Sequence, residues 1–126
     1  MSENLKYPLV AILLAPEEPM WIAALREEKQ ITIRQGHRDY REGTPAVLCC
    51  HIKNAAVMVN ITEVRHCSLR ELTDAELKAD GFLDHQDCIT QMRRFYSDID
   101  LDSAVTVVRW KNIHGSLVDR FREEEE

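Results

Sequence analysis

The spacing of apolar and polar positions changes several times along the chain, and each change marks an element. Residues 9–15 form a continuous apolar run containing Val10 and Ile12, the pattern of a strand buried on both faces. Pro16 ends the run. Pro16, Glu17, Glu18 and Pro19 suit a helix's first turn, where an absent amide hydrogen costs nothing and carboxylates meet the positive end of the dipole. The helix is expected to continue through Met20, Trp21, Ala24 and Leu25 to Glu28. From Gln30 to Arg34 the period becomes two, so Ile31 and Ile33 point one way and Gln30, Thr32 and Arg34 the other. Residues 35–43 are polar, carry Gly36 and Gly43, and read as a loop. Two strands are expected at 46–52 and 55–64, the second continuing to Cys67, with Lys53 and Asn54 as the hairpin turn. Val57, Val59 and Ile61 alternate with Met58, Asn60 and Thr62, which makes one face of that strand core.

The second half begins with a helix start. Thr73 is the N-cap, Glu76 its capping-box partner, Leu72 the apolar residue ahead of it, and Gly81 the left-handed stop. Asp84 opens another helix, whose stripe of Ile89, Met92, Phe95 and Tyr96 carries it to Tyr96. The β-branched run at 103–110 predicts a returning strand. Leu117, Val118 and Phe121 allow one closing turn before the glutamates. The element order predicts an α+β fold: a small, mostly antiparallel β-barrel with short flanking helices over its openings. A sheet with all its helices on one side is the alternative.

Composition narrows the class. The 126 residues fit one domain, expected over 1–115, with 116–126 as an acidic tail, and suffice to bury a core without disulfides or metal. No apolar run approaches the ~20 residues that span a bilayer, so no membrane role is expected. The opening residues lack the basic region and cleavage site of a signal peptide, so a cytoplasmic location is expected. A net charge of −6 argues against a broad phosphate-binding surface, although Arg26, Lys29, Arg34, Arg38 and Arg41 leave room for a local basic pocket. The cysteines, Cys49, Cys50, Cys67 and Cys88, form no C-x-x-C pair and are expected as free thiols. Cys50-His51 and His66-Cys67 are poor zinc ligands, since adjacent strand residues point to opposite faces. No metal or other cofactor is expected, and the sequence specifies no oligomeric state.

The candidate chemistry lies at the change of period before the second strand. An ammonium at the corner, Lys29, a hydroxyl at Thr32 and a guanidinium at Arg34 can converge on one pocket, with Arg38 and Tyr40 in the following loop as its rim. The more frequent meaning of such a pattern is the wet face of a half-buried strand. Trp21 reads as core, whereas Tyr40 and Trp110 can serve either as core or as platforms for a base.

The series Glu28-Lys29-Gln30-Ile31-Thr32-Ile33-Arg34, Arg41-Glu42-Gly43, Leu72-Thr73-Asp74-Ala75-Glu76 with Gly81-Phe82, Phe95-Tyr96 and Val105-Thr106-Val107-Val108 resembles an ASCH domain, a relative of the PUA RNA-binding fold. The resemblance covers residues 9–110 and implies a five- or six-stranded barrel with short helices. The Lys-x-x-Thr-x-Arg form is similar to that of small bacterial amidohydrolases of N4-acetylcytidine. It implies catalytic roles for Lys29 and Thr32, with Arg34 in substrate binding. The family's glutamate falls nearest Asp80, one methylene shorter, and Glu76 is a competing choice in the same segment. Glu28 replaces the glycine that often precedes the motif lysine.

Cleaving an N-acyl bond needs a nucleophile, a base and a group to hold the oxyanion. On this resemblance Thr32 attacks, Lys29 takes its proton, Asp80 orients the lysine and serves the leaving amine, and Arg34 holds the acyl oxygen or a ribose group. Two functions are therefore expected to compete: a hydrolase of a small nucleoside-like substrate, and an RNA-binding module or ribonuclease using the same basic cleft.

Overall fold

The computed structural model describes residues 10–13, 18–50 and 55–115. The strands are β1 (Val10–Leu13), β2 (Ile31–Gln35), β3 (Pro45–Cys50), β4 (Ala55–Ser68) and β5 (Ala104–His114). The helices are α1 (Glu18–Leu25), α2 (Asp74–Asp80) and α3 (His85–Met92), with a 3-10 turn at Leu69–Glu71 that the sequence did not announce. All five strands lie in one sheet of order β1-β3-β4-β5-β2. β1 runs parallel to β3, and the other pairs are antiparallel.

The α+β class is as expected, but the sheet stays open. Among the described residues β1 and β2 are its two edges and do not pair, so the barrel does not close. Helices also cover both faces, which removes the one-sided alternative. Ala24 of α1 packs with Ile12, Ala46, Leu48, Val57, Val59, Ile61, Val108 and Trp110 on one face. On the other, Leu77 of α2 and Cys88, Ile89 and Met92 of α3 pack with Ile31, Ile33, Cys67, Val105 and Val107. Burial of such side chains at ~25 cal/mol per Å² of apolar surface is what holds each helix to its face.

The caps explain where the helices stop. Thr73 Oγ1 accepts from the Glu76 amide at 3.1 Å, and Glu76 Oε1 accepts from the Thr73 amide at 2.8 Å, the reciprocal box read from the sequence. Gly81 follows α2 at φ 97°, and Phe82 N reaches back to Leu77 O at 2.8 Å. The end of α1 uses the same geometry without a glycine. Glu27 sits at φ 60° while Glu28 N bonds Ala23 O at 2.9 Å and Glu27 N bonds Ala24 O at 3.0 Å. α1 therefore ends at Leu25 instead of Glu28, and the tight exit aims Lys29 at the start of β2.

Two further expected boundaries differ. α3 ends at Met92, not Tyr96, so the stripe loses its last turn. Phe95 is 52% exposed with the Arg94 guanidinium over its ring, while Tyr96 still packs on the core. β5 runs past Trp110 to His114. The expected stop at Pro16, the Lys53-Asn54 turn, the closing turn after residue 116 and the acidic tail lie outside the described residues.

Candidate functional site

Among the described residues β2 ends the sheet, so one row of its backbone groups has no neighbouring strand there. Pairing with β5 follows the register Ile31↔Arg109, Thr32↔Val108, Ile33↔Val107 and Arg34↔Thr106. The Ile33 amide points away from β5 and donates to Asp80 Oδ2 at 3.1 Å. Asp80 thus caps the open edge from the last position of α2. Its other oxygen, Oδ1, accepts from Lys29 Nζ. Lys29 and Asp80 are 5% and 7% exposed, so this is a buried ion pair between groups 51 residues apart.

The electrostatics of Asp80 pull both ways. Burial pushes its carboxyl above the ordinary range, and Lys29, the Ile33 amide and the charge of Arg34 draw it back without cancelling the rise.

Thr32 is buried, and its cross-strand partner Val108 places it on the α1 face, with Arg34 two positions on. Ile31 and Ile33 occupy the opposite face. The Lys29 ammonium sits at the strand edge with Asp80, and no hydrogen bond joins it to Thr32. Thr32 is 6% exposed. Lys29 and Asp80 are thus in direct contact and Arg34 is near enough to act on Asp80, whereas Thr32 faces the α1 side of the sheet, opposite the face that α2 covers.

The remaining candidates sit elsewhere. Glu76 is engaged by structure: besides the capping box it takes two bonds from Arg65 of β4, at 2.6 and 2.9 Å. Burial pushes its carboxyl up, but the Arg65 bonds and the Thr73 amide outweigh this and hold it below the usual range. The clamp fixes α2 against β4 and so fixes Asp80 at its end. Tyr40 is half-buried and packs against the α1-face core. Arg38 is exposed, with its Nε on Gln35 O at 2.8 Å and its amide on Thr106 Oγ1 at 2.8 Å.

Two features were not read from the sequence. Thr106, fully buried inside a valine run, donates to Gly36 O at 2.6 Å and accepts from Arg38 N, tying the loop after β2 down onto β5. A hydroxyl interrupting a β-branched run was the available signal. His37 and His66 stack with ring centroids 4.9 Å apart, and His66 Nε2 meets Arg38 O at 2.8 Å. His66 and Cys67 do diverge to opposite faces, as strand alternation requires. Among the described residues no cluster of histidine, cysteine and acidic side chains is arranged to hold a metal, and no helix is long and apolar enough to cross a membrane.

No family model matches the sequence, and no curated protein is significantly similar to it. Solved structures do resemble the fold. An ASCH domain from Lactobacillus crispatus superposes with a TM-score of 0.66 at 16% identity, over 89% of this chain and 84% of that one. A protein from Enterococcus faecalis gives 0.62 at 8% identity over 89% and 84%. The ASCH protein of Zymomonas mobilis gives 0.58 at 13% identity over 90% and 76%.

Proposed function

From the premise that this chain has the ASCH-domain fold, we propose that it hydrolyses the exocyclic amide of a small acylated nucleoside of the N4-acetylcytidine type. The observation that carries this reading is the buried Lys29–Asp80 pair, held at the strand edge on the amide of Ile33, the residue next in sequence to Thr32. A pair that serves stability alone gains little over well-packed apolar side chains, because desolvation offsets most of the attraction. A buried acid and amine on the strand that carries Thr32 fit chemistry better.

In this scheme Asp80 takes a proton from Lys29, leaving both groups neutral. The Lys29 amine then accepts the Thr32 proton as Oγ1 bonds to the acyl carbon. The proton on Asp80 passes to the leaving nitrogen as its bond to that carbon breaks; water then attacks the acyl-threonine, its hydroxyl going to the acetyl group and its proton to Thr32 Oγ1, which releases acetic acid and leaves Asp80 and Lys29 as they began. Arg34 holds the acyl oxygen while it carries negative charge. The proton transfer requires the Lys29 nitrogen to come within ~3 Å of the hydroxyl.

The RNA-binding alternative would use Lys29 and Arg34 against phosphate. Neutralisation of Lys29 by Asp80 and a net charge of −6 favour the uncharged small substrate over it. The test is incubation of purified protein with N4-acetylcytidine, following cytidine and acetate by chromatography. Turnover is expected to fall at least 100-fold in Thr32→Ala with the fold intact, and to be insensitive to added salt. Wild-type protein that releases no cytidine refutes the reading. A Thr32→Ala protein with normal turnover refutes the nucleophile.

A further inference from the structure

Trp110 is 1% exposed, and its indole Nε1 is buried with no hydrogen-bond partner among the described residues. Folded proteins seldom leave such a donor unanswered, because nothing repays its desolvation. Its position bears on the site. The Trp110 backbone amide bonds Gln30 O at 3.1 Å, and its side chain shares the α1 face with Val108, the cross-strand partner of Thr32. The indole is therefore the diagonal neighbour of Thr32 across one strand pair. Such neighbours stand ~7–8 Å apart at the backbone and closer at Cβ, which is about the reach of one heterocycle with its substituents. An unanswered N–H and a hydroxyl on one face, separated by a ring's width, suit a ring with an acceptor at one end and the reacting amide at the other. Tyr40 packs against the same cluster.

We infer that Trp110 is the donor that selects a pyrimidine: its Nε1–H bonds the ring carbonyl O2 while the N4 end of the base faces Thr32. The inference deepens the amidohydrolase reading and rests on it for the identity of the ring. It makes an acyl amine without a ring carbonyl a poor ligand, whatever the reactivity of its amide. Because Nε1 is covered, entry of the ligand requires a local opening of this face.

The test uses uniformly 15N-labelled wild-type protein, so no core variant has to fold. The chain has two tryptophans, and their indole N–H signals are assigned through side-chain connectivities. Cytidine and 4-aminopyrimidine, which keeps the amine and lacks O2, are titrated in parallel, with the Thr32 and Ile33 amides reporting occupancy. With cytidine, the Trp110 indole proton is expected to shift downfield and its exchange with solvent to slow several-fold. With 4-aminopyrimidine, neither change is expected. An indole signal unmoved at saturating cytidine overturns the inference, as does an equal response to both compounds or the absence of any shift at millimolar cytidine. The turnover assay separates the two claims: deacetylation with an indifferent indole keeps the amidohydrolase reading and removes this inference, whereas a selective indole response without turnover does the reverse.

Discussion

Replacing Lys29 with methionine tests the centre of the site, because it keeps most of the side-chain stem and removes the charge. Asp80 then remains buried with the Ile33 amide at 3.1 Å as its remaining hydrogen bond. Removing one member of a buried, hydrogen-bonded ion pair costs about 3–5 kcal/mol. Both groups here are less than a tenth exposed, so little solvent is at hand to soften the loss. The pH dependence has a definite sign. Burial already holds the Asp80 carboxyl above its ordinary 3.8, so the folded protein binds that proton more tightly than the unfolded chain does. Stability from this group is fully present below 3.8 and is lost as pH rises through the folded value. Without Lys29 the folded value moves higher still, and the loss extends over a wider window. Urea unfolding followed by circular dichroism should show the deficit of Lys29→Met largest at pH 8 and smaller at pH 4.5. Adding Asp80→Asn, which keeps an acceptor for Ile33 and removes the stranded charge, should recover most of it. A Lys29→Met protein as stable as wild type at pH 8, or a deficit that ignores pH, would refute the account of a coupled buried pair.

Glu76→Gln should destabilise by about 1–2 kcal/mol at neutral pH, the lower part of the range for charge-assisted bonds because the Arg65 side chain is 34% exposed. The Glu76 carboxyl is held below its ordinary 4.5, so its contribution is present above 4.5 and lost as pH falls through the folded value. Unfolding curves of the two proteins should therefore converge only in acid. The two left-handed positions predict opposite signs: Gly81→Ala should cost about 1–2 kcal/mol and Glu27→Gly should gain up to about 1 kcal/mol, read from thermal melts. The Cys88 thiol is fully buried and its pKa is pushed up to about 12 by burial, then by Asp80 and Asp87. A disulfide reagent at pH 8 should label it no faster than the protein unfolds, as mass spectrometry of the peptide would record.

What could be read from the sequence was local. The box of Thr73 and Glu76 and the stop at Gly81 depend on neighbours within one helix, and the change of period after Lys29 depends on five residues. Whether the sheet closes depends on whether β1 meets β2, a pairing that no nearby residue specifies, and the expected barrel was wrong for that reason. Phe95 was assigned to a stripe by extending α3 one turn too far. The choice between Glu76 and Asp80 was only half legible. The capping box already engaged Glu76, but its second commitment comes from Arg65, on a strand whose register with α2 had to be seen. Lys29 stood out as a corner residue, yet its contact with Asp80 spans the chain and owes nothing to spacing. The indole of Trp110 gave no sign in sequence that its N–H would be left over, since only the packed face determines that.

The open sheet and the site have one cause. A strand with neighbours on both sides separates its two faces, and residues of odd spacing such as Lys29 and Thr32 are then kept apart. At an edge a side chain can pass round the rim of the strand, and the exposed amides must also be shielded from pairing with other chains. Asp80 answers the second need by taking the Ile33 amide, and in doing so it sets a carboxylate where a side chain from either face can reach it. Lys29 comes to it from the start of the strand, Arg34 acts on it from the α1 side, and Thr32 faces that side one residue before the capped amide. Closing the sheet with a further strand against β2 would protect the edge equally well, and it would displace Asp80 from the Ile33 amide and with it the buried pair with Lys29.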